Sequence, residues 1–363
     1  MTEAATTMLG LSGPGMGLTR MTAFASAVNT EPLQPNGILF GGGALPEFYM
    51  PYPAKTSPHL ERARAFAADW TRRIGIARCG VWTDHWTDTQ DYGFWAAVSA
   101  PDAPAAAVDL VAAWGVWGFH WDDFFDDRFK RTRNLPAARA YVDRLMSFMP
   151  PDLAKMPAPE DPVQAGLADL WTRMAPNLPP SGRAAFPGQL GEFLYAPLWE
   201  IQNVIQGRSP DPVDYVEMRR QTGGGMFAYA LAMAGLGGDL PAAVREHRTM
   251  KAIGEIFAEV PPLRNDIISY DKEIHREGEM HNAVLITQQF FGCDRERATG
   301  IVNDLLTERV KQFQRLAAVE VPRMARELEL DATDRATVAA VVTALRDWLA
   351  GDCHWAPRCA RYR

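Results

Sequence analysis

The chain is short of the features that would place it quickly. It has four cysteines in 363 residues and no CxxC pair, so neither a disulfide scaffold nor a zinc ribbon is written into it. Cys353-His354 and Cys359 match no zinc-ligand spacing and read as ordinary thiols, consistent with a reducing cytoplasm. Positive charge is not in excess. Lys and Arg number 37 against 44 Asp and Glu, a net −7, and such a balance argues against nucleic-acid binding by phosphate neutralisation. The best candidate for a membrane span, 103–121, is interrupted by Asp109, Gly115, Gly118 and His120, so no membrane span is expected. The first residues lack a basic start followed by an apolar core, which excludes a signal peptide from the reading. There is no hairpin signal, no alternation of strand with helix, and no internal repeat.

What remains is apolar periodicity of the helical kind. Apolar residues make up 47% of the chain, and eleven Trp and seventeen Phe make it rich in rigid aromatic surface. Residues 1–35, dominated by Gly, Thr, Ala and Met, read as a flexible tail, and 36–363 as one domain. A proline-broken strap follows, and Ser57-Pro58 then starts a helix with Ser as cap and Pro in the first turn. Helical spacing also marks 103–127, 136–149, 162–174, 184–206, 213–220, 243–268, 283–291, 295–328 and 331–350. Gly- and Pro-rich separators such as PNLPPSG, GRSPDP and TGGG divide them. The expectation is an all-α fold of ten or more helices.

Against this background the stretch HWDDFFDD stands out. It sets Asp122, Asp123, Asp126 and Asp127 at the end of a helix that is apolar nearly all round. Desolvation and the helix dipole both oppose anions there. Asp122 and Asp126 are i,i+4 neighbours, as are Asp123 and Asp127, and stacked carboxylates of this kind hold hard cations. The plainer reading is a solvated helix end, in which Lys130 and Arg131 pair with Asp126 and Asp127. That reading leaves Asp122 and Asp123 unexplained between Trp121 and Phe124.

A second oxygen-bearing motif lies in LRNDIISYDKE. Asn265, Ser269 and Glu273 are four apart and drift only about 40° per step around a helix, so they share a face. An amide, a hydroxyl and a carboxylate form a low-charge set suited to Mg²⁺, which keeps waters and shares phosphate oxygens. Taken alone, such residues are also ordinary on a helix surface. No Glu-x-x-His occurs in the chain, which argues against a di-iron bundle. A bound diphosphate would also need fixed cations. Arg219 and Arg220 precede three glycines, Lys272 lies within the second motif, and Arg361 and Tyr362 stand in the RCARYR stretch at 358–363.

Together these motifs resemble those of bacterial class I terpene cyclases, and the resemblance runs from about Leu45 to Tyr362. Asp122-Asp-Phe-Phe-Asp126 is similar to the aspartate-rich motif, although Asp127 stands where a close branch of the family has its acid. Asn265, Ser269 and Glu273 are similar to the Asn–Ser–Glu triad, with Lys272 in a diphosphate-contacting position. Arg219 lies 46 residues before Asn265, the separation of the diphosphate-sensing Arg. Thr222 and Gly223 fall at the linker and effector positions of a helix break, and Thr222 departs from the frequent Asp. Arg361-Tyr362 resembles the terminal Arg–Tyr pair, with Trp355 six residues before it. LPEFYMPYPAKTSPHL, AGLADLWTR, DYVEMRR and LRNDIISY are similar to the N-terminal domain of germacradienol/geosmin synthases.

The resemblance implies a helical bundle around a deep apolar cavity. It implies three Mg²⁺ ions between Asp122, Asp123, the third acid and the Asn265/Ser269/Glu273 set, and an isoprenyl diphosphate held by Arg219, Lys272, Arg361 and Tyr362. Ionisation would leave an allylic cation, which needs a dry, aromatic pocket. Phe119 and Trp355 are the first candidates for its wall, with Phe94 and Trp117 behind them. Farnesyl diphosphate is the expected substrate. Geranyl or geranylgeranyl diphosphate, or chain elongation in place of cyclisation, are the alternatives. Family members are often homodimers.

Overall fold

The computed structural model describes residues 45–236 and 239–362, and everything regular in them is helical. The tail assigned to 1–35 lies outside the described residues.

Local signals account for several of the helix starts, though not the first. The helix expected to be capped by Ser57 begins at Leu60 after His59 with no side-chain cap, and Ser57 Oγ accepts from His59 N instead. The side chains of Asp161, Asp211, Asn282, Asp294 and Asp331 accept from backbone N–H groups in the first turns that follow them. Pro162 and Pro212 then occupy the first helical position, where a missing N–H costs nothing. In chain order the helices are α1 (Leu60–Ile74), α2 (Asp84–Gln90), α3 (Tyr92–Ser99), α4 (Ala105–Phe125) and α5 (Leu135–Met146). Then come α6 (Pro162–Met174), α7 (Pro180–Gln206), α8 (Pro212–Thr222), α9 (Gly225–Ala234) and α10 (Ala242–Glu246). The last are α11 (Arg248–Tyr270), α12 (Ala283–Phe291), α13 (Arg295–Arg315), α14 (Val321–Glu327) and α15 (Ala332–Trp355).

Three helices were not marked by apolar period: α2, α3 and α9. The first two carry their signal in their caps, where Thr83 accepts from Trp86 N and Asp91 from Phe94 N. The period at 243–268 spans two helices, because His247 adopts extended backbone (ψ 137°) between α10 and α11. The period at 295–328 runs through a π-helical turn, Leu316–Glu320, between α13 and α14.

Helix α4 is the axis of the molecule. Trp114, Trp117 and Trp121 on it are fully buried, and it packs between α1, α3 and α6. Helix α15 closes on α3 at Gly351, where a Cβ would stand 2.0 Å from Val98 O. Only glycine permits that backbone approach. The strap before α1 lies across the bundle. Lys55 Nζ reaches Asp102 and Asp347 at 2.8 Å each, Tyr52 meets Phe313, and Tyr49 Oη donates to Gln314. A cavity remains between α4, α7, α9, α11 and α15. Pro197, Pro261 and Pro262, which stand inside helices and interrupt their ladders, line it.

Candidate active site

Both oxygen-bearing motifs end their helices in a π-helical turn. Asp126–Lys130 continues α4 and Asp271–Glu277 continues α11. A wider turn re-aims side chains relative to an α-helix. Asp122, Asp123 and Asp126 all line the cavity, as do Asn265, Lys272 and Glu273 on its other side.

The C-terminus closes over the first motif. Arg361 Nη1 and Nη2 donate to the two oxygens of Asp123 at 2.6 and 2.7 Å, and Nη2 also reaches Asp122 Oδ2 at 3.2 Å. Trp82 Nε1 donates to Asp123 Oδ2 at 2.7 Å. Burial pushes the Asp123 carboxyl up, but Arg361, Lys272 and the bond from Trp82 outweigh it and hold it well below the usual range. Asp122 keeps 48% of its side chain accessible, yet burial beside Asp123 still raises its carboxyl, with Arg361 opposing.

Asp126 and Asp127 part company. Asp126 faces the cavity, and burial raises its carboxyl well above the ordinary value against the pull of Lys130 at 3.5 Å. Asp127 is not among the lining residues and pairs with Arg128 and Arg131 at the surface, at 3.6 and 3.3 Å. The surface pairing read from the sequence therefore describes Asp127. It does not describe Lys130, which turns inward: its Nζ donates to Glu200 Oε2 at 2.7 Å and to Glu279. Glu279 in turn holds His281 Nδ1 at 2.8 Å. Among the described residues, Glu200, Glu279 and His281 are the one group of His, Cys, Asp or Glu ligand atoms close enough to share an ion, within 4.8 Å of one another. The Lys130 ammonium already satisfies both of its carboxylates.

In the second motif Asn265 is the hub. Its Oδ1 accepts from Arg219 Nη2 at 2.9 Å, and its Nδ2 donates to Tyr362 Oη at 2.7 Å. Arg219 is fixed in turn by the buried Asp266 at 2.7 Å, which also accepts from Tyr215 Oη and Ala283 N. Ser269 does not line the cavity; its Oγ donates to Asn265 O at 2.7 Å. Glu273 accepts from Asn282 Nδ2 at 2.9 Å, and burial together with Asp266 pushes its carboxyl up to about 7. Lys272 Nζ lies 3.1 Å from Glu277.

The glycine break after α8 touches this motif. Gly223 lies so close to α11 that a Cβ would stand 2.4 Å from Pro262. Thr222 and Gly223 both line the cavity, and Thr222 Oγ1 finds no partner among the described residues.

The rest of the lining is aromatic. Phe119 stacks with Tyr92 at 5.1 Å, meets Trp355 at 5.6 Å, and carries the Arg361 guanidinium over its ring at 5.3 Å. Phe119 and Trp355 line the cavity; Phe94 and Trp117 do not. Phe94 turns to Arg64 and His354, and Trp117 is fully buried with its Nε1 on Val163 O. The next residue, Trp95, rotated about 100° around α3, takes the wall position instead. Trp82, Trp95, Asp266 and the Lys130 group were missed by sequence reasoning. Asp266 alone had a signal, as a carboxylate directly after Asn265 in the second motif.

The donor chemistry fits hard divalent cations. Three cavity-facing carboxylates on α4 oppose an amide and a carboxylate on α11. Burial disfavours the ionised forms of Asp122, Asp126 and Glu273, so a bound cation would offset a cost already present.

Comparison with known proteins agrees. Residues 113–312 match the family model described as terpene synthase family 2, C-terminal metal binding. The chain is 29% identical to pristinol synthase of Streptomyces pristinaespiralis, over 86% of this chain and 83% of that one. It is 28% identical to pentalenene synthase of Streptomyces avermitilis, over 87% and 92%. The solved structure of germacradien-4-ol synthase from Streptomyces citricolor superposes with a TM-score of 0.75 at 22% identity, over 85% of this chain and 97% of that one. That of an a-eudesmol synthase gives 0.76 at 24%, over 86% and 98%. The fold is that of the class I terpene synthases. The chain belongs to terpene synthase family 2, a family of metal-dependent enzymes, and it is a terpene cyclase.

Proposed function

We propose that this enzyme ionises farnesyl diphosphate with the help of three Mg²⁺ ions and cyclises the resulting cation to a sesquiterpene hydrocarbon or alcohol. One observation carries the reading: Asp122, Asp123 and Asp126 of the first motif and Asn265 and Glu273 of the second line one cavity with Arg219, Lys272, Arg361 and Tyr362 and with an aromatic wall. A relative 27% identical over 87% of this chain, from Streptomyces viridochromogenes, is named as a farnesyl diphosphate-cyclising 7-epi-alpha-eudesmol synthase, which supports the C15 substrate.

Asp122, Asp123 and Asp126 would hold the ions from one side, and Asn265, Ser269 and Glu273 from the other. For Ser269 this requires its hydroxyl to leave the Asn265 carbonyl. Bound divalent cations would supply the positive charge that draws electrons toward the departing diphosphate. Arg219, Lys272, Arg361 and Tyr362 bind the diphosphate and keep it oriented. Gly223 lets the break after α8 lie against α11, so that Thr222 and the backbone beside it face the substrate. Phe119 and Trp355, with Trp95, exclude water and turn ring faces to the cation, each worth up to about 2 kcal/mol when desolvated.

The reading includes a cytoplasmic enzyme without a nucleic-acid partner, supported by the net charge of −7. It also includes a homodimer, supported by apolar side chains left in solvent, Val213, Phe290 and Phe291. Among the described residues no helix is long and apolar enough to cross a membrane.

The test is purified protein with Mg²⁺ and, separately, geranyl, farnesyl and geranylgeranyl diphosphate, with extracts analysed by gas chromatography–mass spectrometry. A cyclic C15 product that disappears on adding EDTA is expected. Cyclic product from only the C10 or C20 substrate would overturn the chain length. Longer linear diphosphates would replace cyclisation by elongation.

A further inference from the structure

The aromatic wall of the cavity is interrupted by a carboxyl group. Trp348, Asp352 and Trp355 stand at i, i+4 and i+7 on α15, and all three line the cavity. That spacing puts them on one helix face. Asp352 therefore sits between two indoles and beside Trp95, which meets Trp348 edge-on at 5.3 Å and Trp355 at 6.3 Å. It belongs to neither acidic motif and not to the group around Lys130.

Its partner lies on the protein side. Arg264 Nη1 donates to Asp352 Oδ2 at 2.7 Å. Arg264 is only 2% exposed and is not a lining residue. The ion pair thus turns its negative end to the cavity and its positive end into the protein. Replacing a buried ion pair by apolar side chains is often neutral or stabilising, so stability alone does not account for an acid set among indoles. Burial raises the Asp352 carboxyl above its ordinary value against Arg264.

A cyclisation that begins with loss of diphosphate and ends in a neutral olefin must release one proton. A C–H bond next to a cationic carbon is so acidic that any carboxylate can take that proton, and position rather than basicity decides which group does. We propose that Asp352 is the base that ends the cascade and thereby selects the position of the final double bond. In this step a carboxylate oxygen of Asp352 takes H⁺ from a carbon adjacent to the last cationic centre. The C–H electron pair becomes the new C=C bond, the carboxyl becomes neutral, and it returns its proton to solvent after the product leaves. The inference rests on the cyclisation of farnesyl diphosphate proposed above and on its hydrocarbon outcome; an alcohol formed by water capture as the wild-type product would overturn it.

Asp352→Asn tests it, because the amide oxygen still accepts from Arg264 but cannot take the proton. Wild type and variant are given farnesyl diphosphate and Mg²⁺, and diphosphate release and product distribution are measured separately. The expected result is diphosphate release within about fivefold of wild type, with the main product cut to about half or less of the total and isomeric olefins or earlier-quenched products in its place. Arg264→Gln removes the charge that opposes burial at Asp352, favours its neutral carboxyl, and should shift the product ratios in the same direction as Asp352→Asn while lowering thermal stability. Wild-type product ratios from folded Asp352→Asn would overturn the proposal. If that variant does not fold, the pair Arg264→Leu/Asp352→Leu takes its place, and unchanged ratios there would overturn it equally. If the wild type itself forms no cyclic product, the cyclase reading fails first and this inference with it.

Discussion

The two acid-bearing helix ends solve the same problem in opposite ways. At the end of α4 the carboxylates are crowded, and the groups that offset them come from far along the chain: Arg361 is 238 residues away from Asp123, and Trp82 is 41. At the end of α11 the motif is sparse in charge: the Asn265 side chain is held from afar by Arg219 and Tyr362, but Ser269 and Glu273 are held from nearby. Ser269 bonds the Asn265 carbonyl one turn back, and Asn282 reaches both Asp266 O and Glu273. The remote grip makes the first motif depend on how the C-terminus is seated. The local grip makes the second a preformed platform, joined to the first through the Asn265–Tyr362 bond and the neighbouring Arg361. Seating the last residues and organising both motifs are therefore one event.

Breaking either platform should have the largest effect. Asp122→Ala and Asn265→Ala each remove a proposed ligand, and several kcal/mol of transition-state stabilisation is about a thousandfold or more in turnover. The helical circular dichroism spectrum should persist in both. Full activity in either would remove that side from the site. Asp126→Asn comes next. It keeps shape and loses charge in the cavity, and should weaken divalent-cation binding, measured by calorimetry, about 10- to 100-fold.

The two motifs should also part in their response to pH. The Glu273 carboxyl, raised to about 7, holds a proton below that pH, which a cation must displace. Affinity at the second motif should thus fall by about tenfold per unit as pH drops from 7 to 5. Chelator-treated protein should move the other way. Between the ordinary carboxylate range and 7 the folded state binds the extra proton, so the contribution of Glu273 to stability rises as pH falls through that window. An affinity flat with pH in Asp122→Asn, where the second motif is left intact, would contradict the shift. Tyr362→Phe should cost less. It removes the hydroxyl that accepts from Asn265 and cuts the bond joining the two platforms, about 0.5–1.5 kcal/mol, or 2- to 12-fold in kcat/KM.

How much of this was legible in the sequence follows the same division. Spacing along one helix brought out Asn265 and Glu273, and the apolar run before HWDDFFDD brought out Asp122 and Asp123. Neither could show the π-helical turns, because the calculation that aligned Asn265, Ser269 and Glu273 assumed 3.6 residues per turn throughout. Where α11 widens at Asp271, Glu273 turns toward Asn282, while Ser269, still within the regular helix, bonds the Asn265 carbonyl one turn back. Long-range partners were equally hidden. Nothing local in Trp82, Glu200 or Glu279 says what each will hold, since the pairing is made by tertiary packing. Phe94 and Trp95 show the limit at its smallest: the neighbourhood was right, and one step of rotation around α3 decided which ring lines the cavity.

The same rotation underlies the smallest effect. Asp126 and Asp127 are adjacent and chemically identical, and both offered themselves as the third acid. The structure turns Asp126 to the cavity beside Lys130 and Asp127 outward to Arg128 and Arg131. An exposed pair of this kind is worth about 0–1 kcal/mol and is screened by salt. Asp127→Asn should therefore leave kcat/KM and cation affinity within about twofold of wild type, and the melting temperature nearly unchanged at moderate salt. The comparison is sharp because Asp126→Asn makes the same chemical change one residue away. Equal losses in the two variants would mean that the π-helical turn rewinds when cations bind and brings Asp127 into the site. A loss confined to Asp126 means that the turn is already in its working conformation.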